Sequence, residues 1–264
     1  MMVAALRRQM ARASAGGSRQ VHIELFSGKA SVTAALRKHV GDAVLALDIH
    51  GDDGVDLGVW SVASVICAWI RAGLVASVWA APPCSTWSNA RRPALRFAGA
   101  AILGRADARP DQSRLIEAGN ATASTVCRVI AACLQSRCPV IVENPHTSLL
   151  WQHPRLAKLA DHRLADKAVV DQCQFGTQWR KRTRLMSWCA VAPCATKLCQ
   201  GKKGRCSITG KLHIELRGKA PGSNVAWTKK AEGYPTSFSR WAARWLHGAV
   251  FRKDLACASA VCQR

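Results

Sequence analysis

Two prolines precede a cysteine in Ala81-Pro82-Pro83-Cys84-Ser85-Thr86-Trp87-Ser88. Proline fixes its own φ and restricts the residue before it, so this thiol is held at a defined point on a loop, which a cysteine packed in a core does not need. As a thiolate it would be a strong nucleophile, and arginines or a helix N-terminus nearby would lower its pKa. Two carboxylates sit where apolar runs stop. Glu143-Asn144-Pro145 follows residues 139–142 (PVIV), and Asp48 closes residues 43–48 (AVLALD). Glu143 could lie beside the thiol if both end strands of one sheet; it could equally cap a helix or pair on the surface. Asp48 lies about twenty residues past the turn Phe26-Ser27-Gly28, the separation at which an acid can accept hydrogen bonds from ribose hydroxyls. A glycine turn followed by an acid is also common in α/β proteins that bind no nucleotide. Arginines crowd residues 180–184 (RKRTR). Last, Cys194-x4-Cys199-x6-Cys206-x6-His213 supplies four ligands of the kind zinc takes, in a segment too short and polar to fold on apolar burial. Cys189 could replace one of them, and free thiols are the competing reading.

Groups so far apart in the chain need a scaffold to bring them together. Residues 21–26 (VHIELF), 43–48 and 76–81 (ASVWAA) have the short, β-branched character of buried strands, and helical spacing runs through 32–40 and 60–72. This βαβαβ rhythm implies a parallel sheet, in which ligands bind beyond the carboxyl ends of the strands. Helical periodicity returns over 115–135, 139–142 and 168–172 read as strands, and 238–251 as an aromatic helix that docks back on the core. The basic, Gly- and Pro-containing stretch from Cys84 to about Gln112 reads as a mobile loop. The expected division is a basic tail or transit segment over 1–20, a catalytic domain over 21–185, a small basic Cys-rich region over 186–232, the docking helix over 233–251 and a tail over 252–264.

The chain has 264 residues, 38 Lys and Arg against 16 Asp and Glu, and a net charge of +22. Residues 176–232 hold thirteen basic side chains against two acids, which is half of that charge. A solvated surface normally mixes both signs, so a polyanion, nucleic acid first, is the implied partner. The twelve cysteines fit a reducing, intracellular compartment. The nucleus suits a nucleic-acid partner, and the first twenty residues, with four Arg and no acid, also have the composition of an organelle transit segment. No apolar run is long enough to span a bilayer. A monomer is the default expectation.

In order and character, ELFSG, APPCSTWS, VENP and WRKRTRL resemble the motifs of the DNA cytosine-C5 methyltransferase family, from Glu24 to Leu185. The resemblance implies an α/β, Rossmann-like fold that binds S-adenosylmethionine, with a mixed, mostly parallel sheet, helices on both faces and a small recognition region in which zinc would be structural. It implies that Cys84 attacks C6 of a flipped-out cytosine in double-stranded DNA, that Glu143 hydrogen-bonds the base, and that Arg184 and Arg182 contact the base and the thiolate region. Phe26, Ser27, Gly28, Asp48, Asp56, Leu57 and Pro82 would then surround the cofactor. The chain departs from the family at Ala30 and Ser31, where further glycines are usual, at Pro145 and at Arg180. Methylation of cytosine in tRNA and a silent nucleic-acid-binding protein that keeps the fold are the alternative expectations.

Overall fold

Apolar β-branched segments form the centre of the protein. The computed structural model describes residues 2–15, 20–41, 43–51, 54–190 and 197–261, with side chains as far as residue 251. In chain order the elements are α1 (Met2–Ser14), β1 (Val21–Leu25), α2 (Ser31–Val40), β2 (Val44–Leu47), α3 (Trp60–Arg71), β3 (Val75–Ala80), α4 (Pro110–Gln135), β4 (Val140–Pro145), α5 (Pro154–Ala160), β5 (Ala165–Asp171), β6 (Arg182–Trp188), α6 (Trp227–Lys230) and α7 (Thr236–Val261). The strands make one sheet in the order β2-β1-β3-β4-β6-β5. β2, β1, β3 and β4 are parallel, and β6 runs antiparallel between β4 and β5. The chain is therefore α/β, with a mixed six-stranded sheet.

The run of buried residues along β1 and β3 is what a strand covered on both faces requires. On one face Val21, Ile23 and Leu25 pack with Leu6 of α1, Ile66 and Ile70 of α3, and Val126 and Ile130 of α4. On the other, Trp79, Ile141 and Leu185 pack with Leu36 of α2 and with Phe238, Ala242 and Leu246 of α7. Order reverses between β1 and β3: the chain moves outward to β2, then returns across β1. A crevice opens at such a point beyond the strand ends.

Three expectations are corrected. Residues 2–14, within the stretch read as a disordered tail or a transit segment, form a helix whose Leu6, Met10 and Ala13 are buried at helical spacing, which corrects the disordered reading alone. The tail after 251 continues α7 to Val261. The Arg-rich loop after Cys84 is pinned rather than free: Arg96, only 2% exposed, stacks its guanidinium 3.6 Å from the Trp87 ring centre and donates to the carbonyls of Thr86, Ile102 and Ile116 and to Asn120 Oδ1. Periodicity could not show this, because every one of those acceptors is brought in by tertiary folding. Burial lowers the Arg96 pKa only to about 10, so it remains a cation at neutral pH.

Arg96→Ala is expected to lower stability by about 3 kcal/mol, since it leaves several buried carbonyls without a donor. Arg96→Lys should recover little of it, because an ammonium has neither the planar fork nor the stacking face. Denaturant unfolding of the two variants checks both expectations.

Candidate functional site

Cys84 is displayed by fixed points on either side of it. Upstream, the Ala81 amide donates to Leu25 O at 3.1 Å and the Pro82 carbonyl accepts from Asn144 Nδ2 at 2.8 Å. Downstream, Cys84 O accepts the Trp87 amide, and Trp87 is wholly buried, edge-on to His153 with 5.8 Å between ring centres. Cys84 is left exposed, and it is the one exposed thiol among the described free cysteines. Its surroundings still exclude enough water that burial pushes its pKa up. Lys181 pulls the pKa down, and Glu143 and Glu232 push it further up.

Glu143 is 6% exposed. Its Oε2 accepts the Tyr234 hydroxyl at 2.7 Å, whereas Oε1 has no hydrogen-bond partner among the described residues. Burial raises the Glu143 pKa, and the Lys181 charge and the tyrosine bond pull the other way. Lys181 itself is tethered by a 3.0 Å bond from Nζ to Ala231 O. Thiol, acid, ammonium and phenol thus share one neighbourhood.

The two arginines expected there are elsewhere. Glu143 lies opposite Leu185 in the sheet and Asn144 opposite Arg184. Side chains alternate between faces, so Arg184 and Arg182 belong to the face away from Glu143, while Lys181 and Thr183 share its face. Arg184 stacks on Trp151 at 5.2 Å. Arg182 makes a two-point pair with Asp171, Nε to Oδ1 and one NH2 to Oδ2, each at 2.9 Å. The physical reason is parity: a motif read as a cluster of like residues cannot say which of them points to which side.

The cofactor-type residues fare better. Phe26, Asp48, Asp56 and Leu57 line one cleft of about 430 Å³ at the β1/β3 crevice, with Ile49, Val55 and Pro83. Pro83 rather than the buried Pro82 forms its wall, which places Cys84 one residue away. Asp48 is oriented by the Gly28 amide on Oδ2 and the His50 amide on Oδ1, both at 2.9 Å. Ser27 and Gly28 face a neighbouring cleft that Asp48 also borders. At the α2 N-terminus the Thr33 amide is already taken, donating to buried Glu24 at 2.6 Å. Ala30 sits at φ 49°, a left-handed conformation that a glycine adopts without strain, which gives the departure at this position a physical meaning.

At the same end of the sheet, Cys173, Cys199, Cys206 and His213 bring their ligand atoms within 4.8 Å of one another, a Cys3His group that could hold a metal ion. Cys199 Sγ lies 3.7 Å from His213 Nε2. Three of the four expected ligands are in this set. Cys194 lies outside the described residues, and Cys173, which follows β5, stands in the fourth place. Hydrogen bonds from Ser207 and the Gly201 amide overcome the effect of burial and bring Cys199 down to about 6. Buried Asp171 ties this segment to the sheet by accepting from the Cys199 amide, Arg180 and Arg182. Burial pushes the Asp171 pKa up, but those donors outweigh it and hold the carboxyl below its usual range.

Sequence reading gave no site role to Lys181, Tyr234 or Cys173. Lys181 could have been found by counting strand parity back from Leu185. Tyr234 and Cys173 carry no local signal, since their partners Glu143 and Cys199 are distant in sequence.

Alkylation by iodoacetamide tests the electrostatics of Cys84 apart from any activity. At fixed pH near neutrality, Lys181→Gln should slow modification of Cys84 and Glu143→Gln should speed it, each by about threefold or more, because the first raises and the second lowers the thiol pKa. Peptide mapping by mass spectrometry reads the rates. No protein-family model matches the chain, and no curated protein matches it either.

Proposed function

We propose that this chain is a DNA cytosine-C5 methyltransferase that uses S-adenosylmethionine. The observation that carries the reading is the buried Glu143, one oxygen held by Tyr234 and the other unpartnered, beside an exposed cysteine on a proline-braced loop. A buried polar atom without a partner is costly, and a pyrimidine ring edge would satisfy it.

The neighbouring cleft suits the cofactor. Asp48 is oriented by two amides and keeps lone pairs for vicinal hydroxyls, and Phe26, Ile49, Val55 and Leu57 offer apolar walls to a purine. Bound S-adenosylmethionine supplies a methyl group on an electrophilic sulfonium. Cys84 thiolate forms a bond from Sγ to C6, and the C5=C6 electron pair moves to C5 while N3 takes a proton from Glu143. The cofactor, held by Asp48 and the apolar walls of its cleft, would supply the methyl group that the electron-rich C5 takes up. Solvent water takes the C5 proton, the C5–H electron pair restores the double bond and expels Sγ as thiolate, and the N3 proton returns to Glu143. Lys181 favours the Cys84 thiolate that opens and closes this cycle and the Glu143 carboxylate that exists between its two proton transfers, in the role that the resemblance implied for Arg184 and Arg182. C6 cannot be reached inside a base stack, so the target nucleotide must be extruded.

Exposed Lys202, Lys203, Arg205, Lys211, Arg217 and Lys219 lie in and just after the segment that carries three of the Cys3His ligands, and suit the phosphate backbone. The ion we propose for that group is zinc, which takes three thiolates and an imidazole in structural sites. Purified protein is expected to contain zinc in equal molar amount, and Cys173→Ser, like Cys199→Ser or Cys206→Ser, should lose it together with thermal stability. Metal-free protein with an unchanged melting curve would reject the assignment.

The activity is tested by incubating the protein and Cys84→Ser with labelled cofactor and either unmethylated duplex DNA or tRNA. Label in DNA that depends on Cys84 is expected. Label in tRNA alone would redirect the reading to an RNA enzyme, and binding without label would replace it by a silent nucleic-acid-binding protein.

A further inference from the structure

Tyr234 makes the two oxygens of Glu143 chemically unequal. A phenol has one proton to donate, and at 2.7 Å it is directed to Oε2. Neighbouring Trp79, edge-on at 6.0 Å, is a donor only and cannot take that proton. The phenol is held by its ring, which packs 4.8 Å from Phe238. A proton taken up by this carboxyl therefore resides on Oε1, the oxygen with no partner.

We propose that Tyr234 is a positioning residue: by donating to Oε2 it reserves Oε1 as the proton-bearing oxygen, so the pocket accepts a pyrimidine whose N3 is unprotonated, cytosine, and rejects one with an N3–H, uracil or thymine. This deepens the methyltransferase reading and rests on it. A donor on Oε1 meets the lone pair of cytosine N3, whereas it faces a second donor in uracil, and two buried donors in contact leave both unsatisfied. Burial of Glu143 favours the protonated form that the selection needs. The other ionisable groups acting on the pair and the adjoining thiol are Lys181 at the start of β6, which favours the carboxylate, Cys84 after β3, Glu232, which raises the Cys84 pKa, and Glu24 on β1; burial, then Glu143 and Glu24, push the Tyr234 pKa up.

Tyr234 is the only tyrosine of the chain, so uniform labelling with 3-fluorotyrosine reports this site alone. The fluorine resonance should titrate with Glu143 and stop doing so in Glu143→Gln. In Tyr234→Phe, which keeps the ring, isotope-edited infrared spectra of the Glu143 carboxyl should show it titrating at about tenfold lower proton concentration, because a hydrogen bond to the charged form has been lost. Covalent trapping with duplexes carrying 5-fluorodeoxycytidine or 5-fluorodeoxyuridine reads the selection. The wild type should trap the first alone, and Tyr234→Phe should trap about tenfold less of it and lose the preference. A merely structural role would lower trapping without moving the Glu143 titration or the preference. A fluorine resonance indifferent to Glu143, or a titration and preference unchanged in Tyr234→Phe, overturns the proposal. If the wild type traps neither base while the Glu143 titration moves as described, the methyltransferase reading and the base selection fall and the proton assignment stands.

Discussion

Strand β6 enters the sheet between β4 and β5 in the opposite direction, so its first residues meet the last residues of both neighbours. Without that reversal Lys181 would lie at the far end of the sheet from Glu143 and Cys84. With it, the ends of β1, β2, β3, β4 and β5 and the start of β6 all open on one side of the molecule. The cleft at Asp48, the thiol, the buried acid and the Cys3His group therefore lie along one end of the sheet. Pairing register then selects within the basic run: Lys181 shares the face of Glu143, and the two flanking arginines do not.

Asp171 holds that arrangement under tension between burial and pairing. It is wholly buried, and its charge is tolerated because Arg182, Arg180 and the Cys199 amide all donate to it. Removing one donor from such a group leaves an under-compensated charge in a low dielectric. One carboxylate therefore links the start of β6, the end of β5 and the basic segment that carries three of the Cys3His ligands, so the position of Lys181 and the integrity of that segment share a support.

The thiol loop is stabilised by different means. A buried cation with no acid paired to it among the described residues, Arg96, is satisfied by carbonyls and by the face of Trp87, which gives the loop a rigid base where flexibility was expected. Glu143 is the complementary case, a buried acid with one oxygen satisfied and one not. Among the buried polar atoms without a partner in the described residues, Glu143 Oε1 is the one that belongs to an acid beside the exposed thiol, where a ligand's own donor would replace nothing.

Much of this was legible in the residues. The β-branched runs at 21–26, 43–48, 76–81 and 139–142 are strands because their apolar character requires burial on both faces, and the spacing of 32–40, 60–72 and 115–135 marks helices. The Pro-Pro brace marked Cys84 as presented on a loop, and strand-end logic picked out Phe26 and Asp48, which line one cleft with Asp56 and Leu57, the two residues named by the resemblance. The sequence by itself determined these because each depends on local sterics or short-range periodicity. Tertiary structure alone decided that Lys181 and not Arg184 faces Glu143, that Tyr234 takes one of its oxygens, that Cys173 joins Cys199, Cys206 and His213, and that Arg96 pins the loop. Each of these is a contact between residues far apart in the chain, fixed by strand direction and register, and no local pattern of residue types contains that information.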